Sequence, residues 1–438
     1  GFGLFDALPL PYELVINNAQ TSPFHVTATA TNPGPRTFPG GIASLLTNPP
    51  APSQVWNYVQ PDLKRNYIYQ WNLNVQRQLP GNAALTVAYA GSRGVHNPFQ
   101  EDDINTVFPY HVGDRWVFPS PICSNVAPLP PPNPTCLTQG GAGLVPGHPI
   151  NSQVNAIQTT LWTSLSYYNS LQVRLTKDMS HGLQAMTSFT WSKTMDTSSG
   201  SFAGDNFAAD LSPTTPWWDL KLVRGLSDFN VGRNLVVNLL YQVPTLHALS
   251  GPAGWAFRGW QLGTIFEASD GVPIWPLDGV EGDPMGQLNS EPIAIPDRIY
   301  GGPCSTAVNV GNPDQYINPN CLTVAQAPSQ SFYNTYCDKS HAFPRCDNLV
   351  GTEARNSIIG PGLVNLDFSM VKNNHIRENL NVQFRAEFFN VINHANFAPP
   401  VDNLEAFDAT GAPVPGFGQI DSTQTPGREI QFAIKVMW

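Results

Sequence analysis

The sequence predicts an all-β fold, an antiparallel transmembrane β-barrel with long external loops, and three observations support this prediction. The last eleven residues, Arg428 to Trp438, alternate between apolar and mixed side chains with a period of two, as in a strand with two different faces. Only 12% of residues are charged and 11% are aromatic, while Gly and Pro occupy 36 and 42 positions, which is typical of strands joined by long loops. Short and long connections also alternate strictly along the chain, as they do in membrane barrels.

The bulk charge and hydropathy argue against other classes of protein. The formal net charge is −10, so the charge gives no reason to expect nucleic acid as a partner. No apolar run approaches the roughly 18 residues that a transmembrane helix needs. A strand of about 11 residues, tilted by about 40°, rises about 28 Å, which is enough to cross the hydrocarbon layer of a bilayer. We therefore expect the chain to cross the lipid bilayer with strands.

Residues 1–65 are expected to form N-terminal strands and loops. The candidate strands there are Tyr12–Asn18 and His25–Thr31, which are separated and followed by connections rich in Pro and Gly. Barrel strands with long extracellular loops are predicted for residues 66–438.

The first clear hairpin begins at Tyr67. Its first strand has apolar and aromatic residues at most odd positions up to Leu79 and amides at the even positions from Gln70 to Gln78. A turn with the sequence PGN follows at residues 80–82, and the return strand has Val87 and Tyr89 on its apolar face. The amides of the first strand are predicted to face the barrel lumen: Gln70, Asn72, Asn74 and Gln76.

Three further hairpins repeat this pattern. Their strands are predicted at about 170–176 and 183–192, 235–243 and 260–269, and 364–370 and 380–388. Together with the first hairpin and the terminal strand, nine strands are predicted. Polar side chains in a water-filled barrel contact a solute or a plug, or simply form the wall. Four further residues are predicted to face the lumen in this way: Arg174, Gln383, Arg385 and Glu387.

The connections between these strands fall into two classes. The short ones lie near residues 80–82, 178–182, 244–255 and 373–378, and the long ones are 93–163, 195–229, 270–361 and 391–427. Bacterial outer-membrane barrels have short periplasmic turns and longer outer loops, so we expect the long loops to be extracellular and the C-terminus to be periplasmic. Interfacial aromatic residues should then form two belts, an outer one of Tyr67, Tyr69, Trp71, Tyr89 and Trp191 and an inner one of Tyr241, Trp260 and Trp438.

The six cysteines lie outside the predicted strands. Pairing between nearest neighbours in the sequence would close three short loops, although the sequence leaves the other pairings open. Disulfides in loops indicate an oxidising compartment, and the competing zinc site is disfavoured because there is no CxxC motif. The candidate disulfides are Cys123 with Cys136, Cys304 with Cys321, and Cys337 with Cys346.

No catalytic motif is recognisable. The chain has no nucleophile elbow, HExxH motif or phosphate-binding loop, so we expect neither an enzyme nor a bound cofactor. Asp278, Glu281 and Asp283 lie in a Gly-rich segment and are expected to be solvated carboxylates, with a calcium site as the alternative.

These motifs together resemble the C-terminal part of the TonB-dependent outer-membrane receptors, and in particular the receptors common in acidobacteria that are related to the myxobacterial motility receptor. The resembling stretches include 67–94, 168–196, 356–397, RGLSDFNVGRNLVVNLLYQVP (224–244), GWQLGTIFEASDGVP (259–273) and GREIQFAIKVMW (427–438). The resemblance implies a barrel of about 22 strands around an N-terminal plug, energised by a TonB-type protein. Neither the plug nor the TonB box is recognisable in this sequence.

An open half-barrel would leave unpaired backbone groups in lipid at two edges, which is strongly unfavourable. We therefore expect this chain to be the C-terminal portion of a larger barrel, with closure by other subunits or closure alone as the alternatives. The resemblance implies uptake of a large or scarce solute across the bacterial outer membrane. The alternative is an outer-membrane structural barrel whose disulfide-linked loops mediate protein contacts.

Overall fold

The main element of the structure, a computed structural model, is a large antiparallel sheet. The structure describes residues 1–6, 55–60, 64–101, 104–106, 108–118, 156–199, 216–244, 251–278, 295–339, 341–377, 380–401, 404–408 and 410–438. In this part of the chain the strands are β1 (Phe2–Asp6), β2 (Val55–Val59), β3 (Tyr67–Leu79), β4 (Ala83–Glu101), β5 (Tyr110–Val112), β6 (Arg115–Val117), β7 (Ala156–Ser180), β8 (Leu183–Asp196), β9 (Gly225–Leu226), β10 (Arg233–Gln242), β11 (Trp260–Ser269), β12 (Pro273–Ile274), β13 (Asp297–Arg298), β14 (Leu322–Thr323), β15 (Ile358–Ile359), β16 (Leu363–Arg377), β17 (Leu380–Phe389) and β18 (Glu429–Met437).

The helices are short. They are α1 (Gly251–Phe257), α2 (Gln330–Tyr336) and three single 3₁₀ turns at Gly302–Cys304, Pro313–Gln315 and Pro319–Cys321. No helix of the described chain has the length and apolar character needed to span a membrane.

The strands of the sheet follow one another as an antiparallel meander. The order is β1-β3-β4-β7-β8-β10-β11-β16-β17-β18, while β2 pairs in parallel with β7 and β9 pairs with β8. The nine strands predicted from residue 67 onward are all present in this order, and β1 is added at one end. β1 and β18 lie at the two ends of the order, so the sheet is not closed by pairing between them. The all-β, antiparallel prediction is confirmed.

The turn between β7 and β8 has the backbone of a tight β-hairpin. Ser180 pairs with Leu183, so His181 and Gly182 form a two-residue loop with φ of 52° and 80°. Positive φ at both positions is the type I′ geometry, whose twist matches that of the flanking strands, and glycine adopts it without strain.

Two strands extend into the predicted loop 93–163, which is therefore wrong at both ends. β4 continues to Glu101 and β7 begins at Ala156, because the two strands stay paired beyond the predicted end of the hairpin. The register shifts on either side of Asn97, so the apolar alternation is interrupted and the sequence hides the continuation.

The other predicted connections also contain regular structure. The loop 270–361 holds β12 to β15 and α2, β8 runs to Asp196 inside the loop 195–229, and α1 lies in the connection predicted as short at 244–255. These elements were missed because two-residue strands and one-turn helices are too short to show a period. The described residues of 391–427 contain no strand and form isolated bridges only.

The described part of residues 1–65 contains two short strands. Tyr12–Asn18 and His25–Thr31 lie outside the described residues. β1 and β2, which were not predicted, both fall within residues 1–65.

Most of the buried apolar clusters lie in the connections, and a small one packs Phe99 of β4 and Leu161 of β7 against Ile104. The largest is built from connection residues such as Ile274, Ile317, Ile358 and Phe407. On the sheet, Leu73 and Phe432 are each 68% exposed, and Val173 and Leu366 are partly exposed. Apart from α1, which lies against Lys372 at one end of the sheet, no described part of the protein covers the apolar face.

Candidate functional site

The register of the sheet divides its side chains into two faces. Residues paired across strands share a face, and residues two apart along a strand share it as well. Leu73 pairs with Tyr89, Tyr89 with Leu171 and Leu171 with Trp191, and the same face continues through Leu235 of β10. This surface is called the apolar face. It ends on β18 with Ile430, Phe432, Ile434 and Val436.

The aromatic residues predicted for two belts lie on the apolar face. Tyr67, Tyr69 and Trp71 lie at the start of β3, whereas Tyr89 pairs with Leu73 in the middle of β3 and Trp191 lies in the same row through Leu171. Trp71 pairs with Gly91, and a Cβ atom at Gly91 would stand 2.5 Å from the Trp71 ring. Glycine is thus required where this indole lies against the neighbouring strand. At the other end Tyr241 pairs with Leu262, and Trp438 directly follows the last residue of β18.

All eight residues predicted to face the lumen lie on the opposite face, which is called the polar face. Gln76 pairs with Thr86, Thr86 with Arg174 and Arg174 with Ser188, which connects β3 to β8. The remaining predicted residues of β3 and β17 occupy alternate positions in the same register: Gln70, Asn72, Asn74, Gln383, Arg385 and Glu387. They are spread over the width of the sheet and do not form one compact site.

A cavity of about 640 Å³ lies on the polar face. A cavity on one side of a sheet requires that side to be concave, so the sheet curves around its polar face. Six successive strands each contribute two residues of this face to the lining. One set is Arg174, Gln184, Asn238, Gly263, Asp367 and Glu387, and the other is Thr176, Met186, Leu240, Ile265, Ser369 and Phe389. Only Arg174 and Glu387 were among the predicted lumen residues.

Asn238 and Asp367 were missed as site residues although their strands were predicted correctly. Asn238 stands between Val237 and Leu239, so its polar character within an apolar alternation was the available signal. The Asp367 Oδ1 atom accepts hydrogen bonds from Asn365 Nδ2 at 3.0 Å and from the backbone N–H of Asn390 at 2.9 Å. These bonds hold the Asp367 carboxylate in place on the wall.

The charges of the wall are not paired with one another. Arg174 and Glu387 lie on strands separated by β8, β10, β11 and β16, and no ion pair joins them among the described residues. Gln383 Nε2 donates to Asn373 Oδ1 at 2.8 Å, as an amide pair across two strands. The wall therefore offers separated charges and amides, together with the apolar side chains of Met186, Leu240, Ile265 and Phe389, to whatever fills the cavity.

The long connections form a folded layer at one end of the sheet. The β5–β6 hairpin joins the segment 295–361 through an ion pair of 2.8 Å between Arg115 and Asp297 and through hydrogen bonds between Phe118 and Asn348. Asp297 also accepts from the backbone N–H groups of Gln326 and Thr352 at 2.8 and 3.0 Å. Segments far apart in the sequence are thus connected into one layer, which is called the loop layer.

Two of the three predicted disulfides are present in the loop layer, Cys304–Cys321 and Cys337–Cys346. Cys123 and Cys136 lie outside the described residues. The Arg298 guanidinium donates to the backbone oxygens of Cys304 at 2.9 Å and Cys321 at 3.2 Å. Arg298 of β13 therefore holds the backbone at both ends of the first disulfide.

Arg298 also approaches a buried carboxylate, with Nε 3.4 Å from Glu353 Oε2. Burial raises the pKa of the Glu353 carboxyl, while a hydrogen bond from Ser357 and the positive charge of Arg298 lower it. Burial is the largest of these effects, so the folded loop layer favours the neutral form of Glu353 more than water does.

A second buried guanidinium connects the loop layer to the sheet. Arg355 contacts Asp196, the last residue of β8, at 2.6 Å, Asp228 at 2.7 Å and the Ser199 hydroxyl at 2.7 Å. Asn356 donates to Asp228 as well, at 2.6 Å. Asp228 belongs to the stretch RGLSDFN, and the pairing with Arg355 has no local signal in the sequence.

No group of three or more His, Cys, Asp or Glu side chains suited to a metal ion occurs among the residues that the structure describes. Asp278 was expected to be a solvated carboxylate, and this is wrong because it is buried in the loop layer. Glu281 and Asp283 lie outside the described residues.

No curated protein sequence matches this chain. Among solved structures, the chain is similar to the outer membrane transporter YddB from Escherichia coli, with a TM-score of 0.37 and 11% identity over 88% of this chain and 34% of that one. It is also similar to the ferric-catecholate import receptor Fiu from Escherichia coli K12, with a TM-score of 0.34 and 9% identity over 100% of this chain and 32% of that one.

A third similar structure is the FrpB iron transporter from Neisseria meningitidis, with a TM-score of 0.32 and 10% identity over 86% of this chain and 32% of that one. The chain thus spans about a third of the length of each of these structures. The profile of the family described as outer membrane beta barrel domain matches residues 1–431. With its antiparallel meander and its uncovered apolar face, the chain belongs to the outer membrane β-barrel domain family and is an outer-membrane protein.

Proposed function

We propose that this chain is the barrel portion of an outer-membrane receptor that takes up a large or scarce solute. The observation that carries the proposal is the concave polar face, which lines a cavity of about 640 Å³ and continues over ten strands. A polar inner wall and an apolar outer wall are what a solute pathway through a bilayer requires. Within the family, the proposal places the chain among the TonB-dependent receptors, in the group common in acidobacteria and related to the myxobacterial motility receptor.

The eight predicted lumen residues are proposed to form part of this pathway. Amides dominate among them, and amides both donate and accept hydrogen bonds, as the hydroxyl and peptide groups of solutes do. The proposed solutes are therefore neutral and hydroxylated, such as oligosaccharides, or peptides. Arg174 and Glu387 add isolated charges that orient a polar solute.

The orientation follows from the same proposal. The loop layer is extracellular, where its two disulfides are stable, and the short connections and the C-terminus are periplasmic. A folded outer layer gives a receptor a fixed surface on which to capture its solute before uptake.

The proposed partners complete the barrel. The free edges of β1 and β18 would carry unpaired N–H and C=O groups in the hydrocarbon, which is costly enough to require pairing with further strands. We infer that these strands, together with a plug, belong to the rest of the receptor or to another subunit. A TonB-type energiser is the proposed source of the energy for uptake.

The experiment uses paired cysteine variants of the full-length protein in intact cells. Asn238→Cys places a thiol on the polar face and Val237→Cys places one on the apolar face of the same strand. We expect a water-soluble, bulky maleimide to label position 238 and not position 237, and to reduce uptake of a labelled maltodextrin or oligopeptide in the first variant only. The wild-type protein gives the background labelling of the native cysteines.

The dependence of uptake on cellular energy is measured separately. A protonophore is expected to abolish accumulation of the solute without changing its binding to the cell surface. Labelling of position 237 instead of 238 would contradict the proposed inner wall. Unchanged accumulation of every tested saccharide and peptide after deletion of the gene, together with loss of a surface assembly, would instead support the structural barrel.

A further inference from the structure

A short helix lies against the membrane-facing side of the sheet. α1 belongs to the connection between β10 and β11. Lys372 of β16 pairs with Trp260 of β11, and two residues further along Met370 pairs with Leu262. Because side chains two apart share a face, Lys372 and Trp260 belong to the apolar face.

The Lys372 ammonium group attaches α1 to this face. It donates to the backbone oxygens of Trp255 at 2.8 Å and Arg258 at 3.2 Å, where carbonyls at the end of a helix carry partial negative charge. The rings of Trp255 and Trp260 lie 4.9 and 5.6 Å from Nζ, and Trp260 Nε1 donates to the backbone oxygen of Ala256 at 2.8 Å. As a result Lys372 is only 7% exposed, although its position on the strand faces the membrane.

Two large apolar side chains of α1 remain uncovered. Trp255 is 60% exposed and Phe257 is 61% exposed. Tryptophan concentrates where hydrocarbon meets headgroups, because its ring is apolar and its N–H is polar. α1 lies at the same end of the sheet as Trp260 and Trp438, so its exposed rings continue the apolar surface at the inner aromatic belt.

We propose that α1 is an interfacial helix, embedded in the headgroup layer of the outer membrane at the end of the short connections, with Trp255 and Phe257 in lipid and Lys372 as its attachment. The occupant of this surface is lipid, because the surface is continuous with the apolar face of an outer-membrane barrel. A protein partner is excluded by this proposal. The inference does not rest on uptake, since a barrel that transports nothing would hold α1 in the same way.

The test measures depth in the membrane with a fluorescent label on an introduced thiol. Trp255→Cys and Phe257→Cys variants of the full-length protein are labelled and inserted into vesicles of phosphatidylethanolamine and phosphatidylglycerol. We expect lipids spin-labelled near the headgroup to quench these labels at least about threefold more strongly than aqueous iodide does. The matched controls are Val310→Cys, in the loop layer and 86% exposed, which iodide should quench, and Leu239→Cys on β10, which deeply spin-labelled lipids should quench.

The attachment is tested separately by Lys372→Met. This variant should make the label at position 255 more accessible to iodide, while the label at Leu239→Cys stays protected and shows that the barrel is intact. Iodide quenching at position 255 as strong as at position 310 would overturn the proposal. Protection of position 255 from both quenchers would also overturn it, because another protein would then cover the helix.

Discussion

Asp196 and Arg355 form a buried ion pair of 2.6 Å although they are 159 residues apart in the chain. Asp196 ends β8 and Arg355 belongs to the loop layer, so the pair connects the sheet to the layer that covers one end of it. Both side chains are about 95% buried, and the guanidinium is shared with Asp228 and Ser199. The position of the loop layer relative to the sheet depends on this cluster.

Replacing Arg355 with Met should release the loop layer. The change leaves two carboxylates buried without their cation, which costs about 3–5 kcal/mol in comparable buried pairs. Limited proteolysis of the folded protein should cut the segment 341–361 many times faster, while the strands stay protected. The control is Arg233→Met, which removes an exposed pair with Asp270 and should change the cleavage rate little. Equal cleavage of the two variants would contradict the role of the Arg355 cluster.

A charge on the apolar face should destabilise the barrel far more than the same charge on the polar face. Leu239→Arg puts a guanidinium into the hydrocarbon, at a cost of about 2–4 kcal/mol near the midplane. Asn238→Arg, one residue away, points into the cavity and should cost much less. Unfolding each variant in lipid vesicles with guanidinium chloride measures the two free energies of unfolding. A larger loss of unfolding free energy for Asn238→Arg than for Leu239→Arg would show that the two faces are assigned the wrong way round.

The Cys304–Cys321 disulfide should stabilise the loop layer more than the Cys337–Cys346 disulfide. The two bonds close loops with sequence separations of 17 and 9, and the loop-closure entropy predicts about 3 kcal/mol for the longer loop and slightly less for the shorter one. The longer loop also presents two carbonyls to Arg298, whose hydrogen bonds depend on its geometry.

Replacing both cysteines of one pair by serine isolates each contribution. Hydrogen exchange of the backbone amides in residues 297–323 should accelerate in the Cys304→Ser, Cys321→Ser variant and change little in the other. Faster exchange of this segment only in the Cys337→Ser, Cys346→Ser variant would refute the predicted order.

The stability of the loop layer should fall as the pH rises above the ordinary range for glutamate. Burial raises the pKa of Glu353 above its usual 4.5, so the folded state holds this proton at a pH where the unfolded chain has lost it. Between the unfolded and the folded pKa, the folded state binds more protons, and the free energy of unfolding therefore decreases with increasing pH. Above the folded pKa the contribution of this group is constant.

Hydrogen exchange of the loop layer across pH 4–8, corrected for the intrinsic exchange rate, measures this dependence. Glu353→Gln should flatten the slope because the amide does not titrate, while the exposed Glu429→Gln should leave it unchanged. A slope of the opposite sign in the wild-type protein would show that the charge of Arg298 outweighs burial.

The sequence by itself determined the nine strands from residue 67 onward and their two faces. It did so because alternation with a period of two is a local property, and because each strand must present one face to lipid whatever its neighbours are. The amides of β3 lie on one face for this reason, as do Arg385 and Glu387 of β17.

Only the tertiary structure decided how the connections are arranged. The continuation of β4 and β7 beyond the hairpin, the seating of α1 on Lys372 and the pairing of Asp196 with Arg355 all depend on contacts between distant segments. Lys372 donates to Asn374 two residues away, but the carbonyls of Trp255 and Arg258, which attach α1 to it, reach it only through folding. Burial and long-range pairing, and not local pattern, therefore determine these parts of the molecule.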